Sequence, residues 1–208
     1  MLICDTHRVL FVHVPKTGGV SAEGVVKRNC SDARKQVEPR RGRHAPLRKI
    51  LDSEPGLADY WSFGFVRNPW ARLVSWYAMI EDWNRRVAAH GPDSVKSRGN
   101  EMWLAAGEYS GFEEFVLRGT EELPRVGRPQ IRYLRSTEHD REVDFIGRTE
   151  NFAADLQVVQ ERIGVTPVAP PHRNKSSHGS YRDYYTDAAR TQVERVYAED
   201  IDLFGYTF

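Results

Sequence analysis

The stretch Val9-Leu10-Phe11-Val12-His13-Val14-Pro15-Lys16-Thr17-Gly18-Gly19-Val20-Ser21 decides the fold. Val9 to Val14 form a nearly continuous β-branched and aromatic run, the pattern of a strand covered on both faces of a parallel sheet. Pro15 ends that run, Gly18 and Gly19 admit a tight turn with positive φ, and a helix-compatible segment follows from Val20 or Ser21 to Lys27. Strand, tight loop and helix in that order gather backbone N–H groups and the positive end of a helix dipole at one point, which makes a pocket for a phosphate-like anion. Lys16 adds a full charge there, and Thr17 and Ser21 can add hydroxyl donors. The lysine precedes the glycines, so the pattern G-x-x-x-x-G-K-[ST] is absent. Taken alone, the segment is equally compatible with a plain glycine turn.

Working outward, Tyr60-Trp61-Ser62-Phe63-Gly64-Phe65-Val66 reads as a second core strand. Asn68-Pro69 supplies an N-cap and a proline at the first helical position. In the helix that follows, Trp70, Leu73, Val74, Tyr77, Ile80 and Trp83 recur at three- and four-residue spacing, which marks a core-packing stripe. Arg67 closes the second strand, beside the first loop if the strands are neighbours, and its guanidinium suits bidentate phosphate binding. Asn68, Arg72 and Ser75 share one helical face, with Arg72 open to a structural ion-pair role. A kinase-like site would want a magnesium-binding carboxylate where this strand carries arginine. Residues 84–101 read as a long loop, either of the lid or acceptor-wall kind or a disordered surface loop. Short helices are expected at Pro46–Leu51, Phe112–Leu117 and Pro129–Leu134, a strand at Val143–Gly147, a helix at Glu150–Ile163, and a last helix capped by Thr186. Strands separated by helices give an α/β class, a P-loop-like three-layer sandwich with a mainly parallel central sheet flanked by helices.

At 208 residues the chain fits a single domain. Its 30 Lys and Arg almost balance 29 Asp and Glu, so no global field draws it to nucleic acid or to an anionic bilayer. Cys4 and Cys30 show no metal-ligand spacing, and two reduced thiols in a cytoplasmic setting are expected, with no disulfide framework. The residues from Met1 to Arg8 show no basic leader or cleavage site, and Val9–Val14 is far short of the roughly 20 apolar residues of a membrane span.

The two segments around Lys16 and Arg67 resemble the PAPS-dependent sulfotransferases (PAPS, 3′-phosphoadenosine 5′-phosphosulfate), specifically the carbohydrate sulfotransferase group that includes heparan sulfate 2-O-sulfotransferase and small bacterial members. Phe11 to Ser21 is similar to the family's 5′-phosphosulfate loop, and Phe65 to Tyr77 to its 3′-phosphate motif. Further matches follow in order at Val143–Asn151, Pro171–Ser176 and Tyr197–Tyr206. The resemblance implies transfer of a sulfuryl group from PAPS, without a metal ion, to a hydroxyl of a small molecule or glycan, leaving 3′,5′-adenosine bisphosphate. It implies that Lys16 holds the bridging oxygen, that the amides of Thr17, Gly18, Gly19, Val20 and Ser21 hold the 5′-phosphate, and that Arg67 and Ser75 grip the 3′-phosphate. Lys175 and Ser176 would belong to a loop closing over the nucleotide. Val20 stands where relatives often carry threonine and Ala71 where they often carry aspartate, which weakens a hydroxyl contact and an ion pair.

Sulfuryl transfer needs a base for the acceptor hydroxyl, and histidine, with an ordinary pKa of about 6.5, suits it. His44 lies between the two nucleotide motifs, where the resembling 2-O-sulfotransferases place their catalytic histidine. His13, inside the expected strand, reads as a satisfied core residue. Glu150 is the alternative base, with a buried partnership to Arg148 as its plainer role. Arg34, Lys35, Arg40, Arg41, Arg43, Arg48 and Lys49 surround His44 and leave two readings, a solvated face or recognition of an anionic acceptor. The competing functions are a nucleotide or small-molecule kinase and a non-catalytic adenosine-bisphosphate-binding protein. No motif identifies the acceptor or an oligomeric state.

Overall fold

The computed structural model describes residues 1–35, 42–91, 108–165 and 179–208. In chain order its main elements are β1 (Leu2–Cys4), β2 (Val9–Phe11), α1 (Gly19–Asn29), α2 (Leu47–Ser53), β3 (Trp61–Val66), α3 (Pro69–His90) and α4 (Phe112–Leu117). There follow β4 (Arg135–Ser136), β5 (Arg141–Glu142), β6 (Phe145–Arg148), α5 (Phe152–Arg162), α6 (Asp187–Val196) and α7 (Ala198–Phe204). The elements fall into two compact units, Met1–Arg67 with Gln130–Asn174, and Asn68–Pro129 with Lys175–Phe208.

The first unit is built on a sheet of order β1-β2-β3-β6. The β2–β3 and β3–β6 pairs are parallel and β1 pairs antiparallel with β2, so the sheet is mixed and mainly parallel. Phe11 stands opposite Phe63 in register, and their rings stack at 4.8 Å. With Phe65 they point to one face, where Ala22, Val25 and Val26 of α1 and Leu156 and Val159 of α5 close over them. Each of the three phenylalanines is 0% exposed and contributes about 1.5–3 kcal/mol by burial. Gly64, one residue out of phase, faces the other side, against Leu134 from the short helix Ile131–Leu134, and α2 packs on that helix. The unit is therefore the expected layered α/β arrangement. Expected strand Val9–Val14 shortens to Val9–Phe11, although the Val12 N–H still donates to Phe63 O at 2.8 Å.

In the second unit α3 begins at Asn68, whose side-chain oxygen accepts from the N–H groups of Trp70 (3.1 Å) and Ala71 (3.3 Å). Trp70, Leu73, Val74, Trp76 and Ile80 are buried, whereas Tyr77 and Trp83 of the expected stripe are only half-buried. Tyr77 packs on Phe112 and Phe115 of α4, and Tyr197 donates to Val126 O. The aromatic tail is tied down by Asn68 Nδ2 donating to Thr207 O at 2.9 Å and by Phe208 against Trp70 and Tyr185. The loop expected over 84–101 is helical through His90, supported by the Asp82–Arg86 pair at 2.9 Å one turn apart, and ends where Gly91 takes φ +79°; residues 92–101 lie outside the described residues. No described helix is long and apolar enough to cross a membrane.

Candidate active site

The chain leaves β2 through Val14 and Pro15 and reverses at Lys16, which takes φ +69°, and Gly18, at φ +76°. A lysine in this region carries about 1–3 kcal/mol of strain, which marks a geometry held by its surroundings. Thr17 between them is 0% exposed and its hydroxyl donates to Val14 O at 2.9 Å. The one hydroxyl proton is thus spent on closing the loop, so Thr17 offers an anion its backbone N–H and not the side-chain donor expected from the sequence. Helix α1 starts at Gly19 with Gly18 as N-cap, no side-chain cap and no acidic residue in its first turn. The amides of Gly19 and Val20 therefore sit at an open, positive helix end, the setting expected of an anion cradle. Val20 is 46% exposed and Ser21 half-buried.

The glycine pair is required by what lies beneath it. A Cβ on Gly18 would come within 2.9 Å of the Phe152 ring, and one on Gly19 within 2.0 Å of His13 Nε2. Gly19→Ala is expected to destabilise the protein by about 1–3 kcal/mol through this overpacking. Thermal melts check this, at about 2–4 °C per kcal/mol for a chain of this size, and an unchanged melt would mean that the loop relaxes without cost.

Arg67 follows the tip of β3, the parallel neighbour of β2, so the C-terminal ends of the two strands deliver Lys16 and Arg67 to the same edge of the sheet. Burial, and then the Arg67 charge beside it, lower the Lys16 pKa from 10.5 to about 8. Gln130, 0% exposed, braces Arg67 in both directions: its Oε1 accepts from Arg67 N–H at 2.9 Å and its Nε2 donates to Arg67 O at 2.8 Å. Thr149 Oγ1 donates to Val66 O at 3.0 Å. No sequence motif singled out Gln130, which lies 63 positions from its partner and sits among apolar neighbours of a short helix.

His44 is half-buried and its Nδ1 lies 2.9 Å from His13 O. A carbonyl oxygen can only accept, so Nδ1 carries a ring proton, and in a neutral ring Nε2 is the nitrogen able to accept one. The His44 ring meets the His13 ring edge-on at 4.5 Å. His13 is 3% exposed and pairs through Nδ1 with Glu23 Oε1 at 3.0 Å, the satisfied core histidine expected from its place in the strand. Burial lowers the His13 pKa, so it is the neutral partner of an ionised Glu23. Burial alone would raise the Glu23 carboxyl, but the His13 hydrogen bond and the nearby Arg43 charge outweigh it and hold the group well below the carboxylate range.

Other expected site residues fare differently. Ser75 is half-buried on α3 in the second unit. Arg72 is 1% exposed, donates to Arg128 O and lies over the Tyr197 ring at 5.5 Å, which makes it part of that unit's core. Lys175 and Ser176 lie outside the described residues. Glu150 on the turn Thr149–Asn151 and Arg148 before it are both exposed, not in the buried setting expected of their pairing. Much of the basic patch is neutralised: Arg34 pairs with Asp5 and Glu54, Arg43 with Glu23, and Arg48 with Asp52 and Glu138. Lys35 and Lys49 are exposed, and Arg40 and Arg41 lie outside the described residues.

A strand–loop–helix junction with a lysine in its turn and an arginine on the next parallel strand defines an α/β protein with two cations at neighbouring strand tips. The model described as "Sulfotransferase family" matches residues 1–207, and the chain belongs to that family. Carbohydrate sulfotransferase 10 of Rattus norvegicus is 22% identical over 254 residues, covering 99% of this chain and 66% of its own length. Carbohydrate sulfotransferase 14 of Danio rerio is 28% identical over 184 residues, covering 83% of this chain and 49% of its own length. The chain thus spans about two thirds or less of these relatives. A mouse sulfotransferase, SULT7A1, solved in complex with PAP, shares the fold with a TM-score of 0.53 at 13% identity, over 96% of this chain and 85% of that one.

Proposed function

We propose that the protein transfers a sulfuryl group from PAPS to a hydroxyl, on a glycan or another small acceptor. The observation that carries this reading is the pair of cations at neighbouring strand tips, Lys16 in a strained turn and Arg67 braced by Gln130, set beside an uncapped helix end. Such a pair suits a ligand with phosphate groups at both ends, and the names of the relatives point to a carbohydrate acceptor. In this reading the acceptor oxygen attacks sulfur as the bond from sulfur to the bridging oxygen breaks in line. The electron pair goes to the departing 3′,5′-adenosine bisphosphate, where Lys16 neutralises it, and the acceptor proton goes to Nε2 of His44. Arg67 holds the 3′-phosphate and the amides from Thr17 to Val20 hold the 5′-phosphate, the Ser21 amide being taken by Gly18 O at 2.9 Å. The two free thiols support a reducing, cytoplasmic setting, which recovery of the native protein in a membrane fraction would overturn.

The deciding experiment follows label from sulfur-labelled PAPS into a panel of glycans, glycolipids and phenols. Transfer to a sugar hydroxyl is the expected result. Bisphosphate binding with no transfer to any acceptor would leave a binding protein, and phosphate transfer from ATP with magnesium would leave a kinase. Gln130→Ala removes both hydrogen bonds from part-buried backbone groups of Arg67, at a cost of about 1–3 kcal/mol. It is expected to raise the KM for PAPS while kcat changes little, and equal KM values in the two proteins would show that the brace is idle.

A further inference from the structure

Cys4 ends β1, Cys30 directly follows α1, and His7 occupies the hairpin turn between β1 and β2. The distance between the cysteines in sequence hides what the fold does: one ligand atom from each of Cys4, His7 and Cys30 lies within 4.8 Å of the other two. Asp32 adjoins this trio, its Oδ1 accepting a hydrogen bond from Cys4 Sγ at 3.4 Å. A tetrahedron with metal–sulfur bonds of about 2.3 Å and metal–oxygen bonds of about 2.1 Å has a sulfur–oxygen edge of about 3.6 Å. The Cys4–Asp32 edge is already close to that length.

We propose that Cys4, His7 and Cys30, with Asp32 drawn in as the fourth donor, form a structural site for a divalent metal ion of zinc type, apart from the anion cradle. Two thiolates, an imidazole and a carboxylate suit zinc, and four protein donors make a closed site with no position left for substrate. The other carboxylate oxygen of Asp32 accepts from Thr6 N–H at 2.6 Å and from the Thr6 hydroxyl at 2.9 Å, the outer support that fixes a ligand's orientation. Both thiols are buried while His7 and Asp32 are half-buried, which gives the ion an entry side. On loading, each S–H bond is exchanged for a sulfur–metal bond, the protons pass to solvent, and nothing is oxidised. The ion ties the β1–β2 hairpin to the C-terminal end of the helix whose N-terminal end carries the cradle.

The test uses the whole chain, purified with a non-chelating reductant, and reads no enzymatic activity, so its failure is separable from failure of the sulfotransferase reading. Elemental analysis is expected to find about one zinc per chain. After chelator stripping, cobalt(II) is expected to give sulfur–cobalt charge-transfer absorption that zinc(II) abolishes, and zinc is expected to raise the melting temperature. Cys30→Ser and His7→Ala are expected to weaken cobalt binding by about tenfold or more; His7→Ala changes a hairpin turn outside the core, so it decides the matter if the buried serine prevents folding. Absent charge-transfer absorption, undiminished binding in His7→Ala, or a Cys4–Cys30 disulfide in place of a metal-binding thiol pair would each overturn the site.

Discussion

Replacing His44 with alanine is expected to slow turnover by about 10²–10⁴-fold, the usual contribution of a general base. The imidazole is anchored by its Nδ1–H to the carbonyl of His13, the residue that leads from β2 towards the phosphate loop. That anchor fixes the tautomer and leaves Nε2 as the only ring atom able to take a proton from an acceptor hydroxyl. Alanine removes the lone pair without touching the cradle amides, Lys16 or Arg67, so calorimetry should find affinity for 3′,5′-adenosine bisphosphate almost unchanged. Rapid-quench measurement of a single turnover reads the chemical step directly. Turnover at the unsubstituted rate would move the base elsewhere, with exposed Glu150 as the next residue to replace.

Lys16→Ala is expected to lower kcat by about 10²–10³-fold, the scale seen when one donor to developing negative charge is removed. Lys16→Gly serves as its structural control: it removes the same charge but relieves the left-handed backbone strain, so it should be the more stable of the two by about 1 kcal/mol. If both variants lose activity while differing in stability, the loss belongs to the ammonium group and not to the loop. A pH series gives an independent reading. With a folded pKa of about 8, Lys16 in the ligand-free protein is charged below that value and neutral above it. A bisphosphate binds the charged form, so between about pH 7, above the second ionisation of its phosphates, and pH 8 its affinity should be near level and above pH 8 fall by up to about tenfold per unit in the unsubstituted protein. In Lys16→Ala that decline should disappear. A decline that persists in the variant would assign the titration to another group.

What the amino-acid sequence disclosed was whatever has a local physical cause. The run from Val9, the glycines and the Asn68-Pro69 cap each act within a few residues and sit where they were expected, although the strand ends at Phe11, ahead of the proline. Strand β1 was missed because Leu2–Cys4 is too short to show a period. The two-residue strands β4 and β5 form a hairpin for the same reason out of sight. Gln130 acts across 63 positions of chain, and no spacing rule links a buried amide to the backbone it braces. The basic patch left two readings because charge counting ignores partners: Asp5, Glu23, Glu54 and Glu138 reach Arg34, Arg43 and Arg48 only in the folded chain. Helix α3 outran its expected end because the Gly91-Pro92 stop lies beyond a last turn that Ala88 and Ala89 favour.

The imidazole of His13 fills the volume in which any side chain on residue 19 would have to begin. These two positions are therefore mutually exclusive in size, and a chain descended from this one could admit bulk at residue 19 only after shedding it at residue 13. Such an exchange would also orphan Glu23, whose carboxylate leans on the ring it would lose. A side chain added at residue 19 is therefore felt first at His13 and, through that ring, at Glu23.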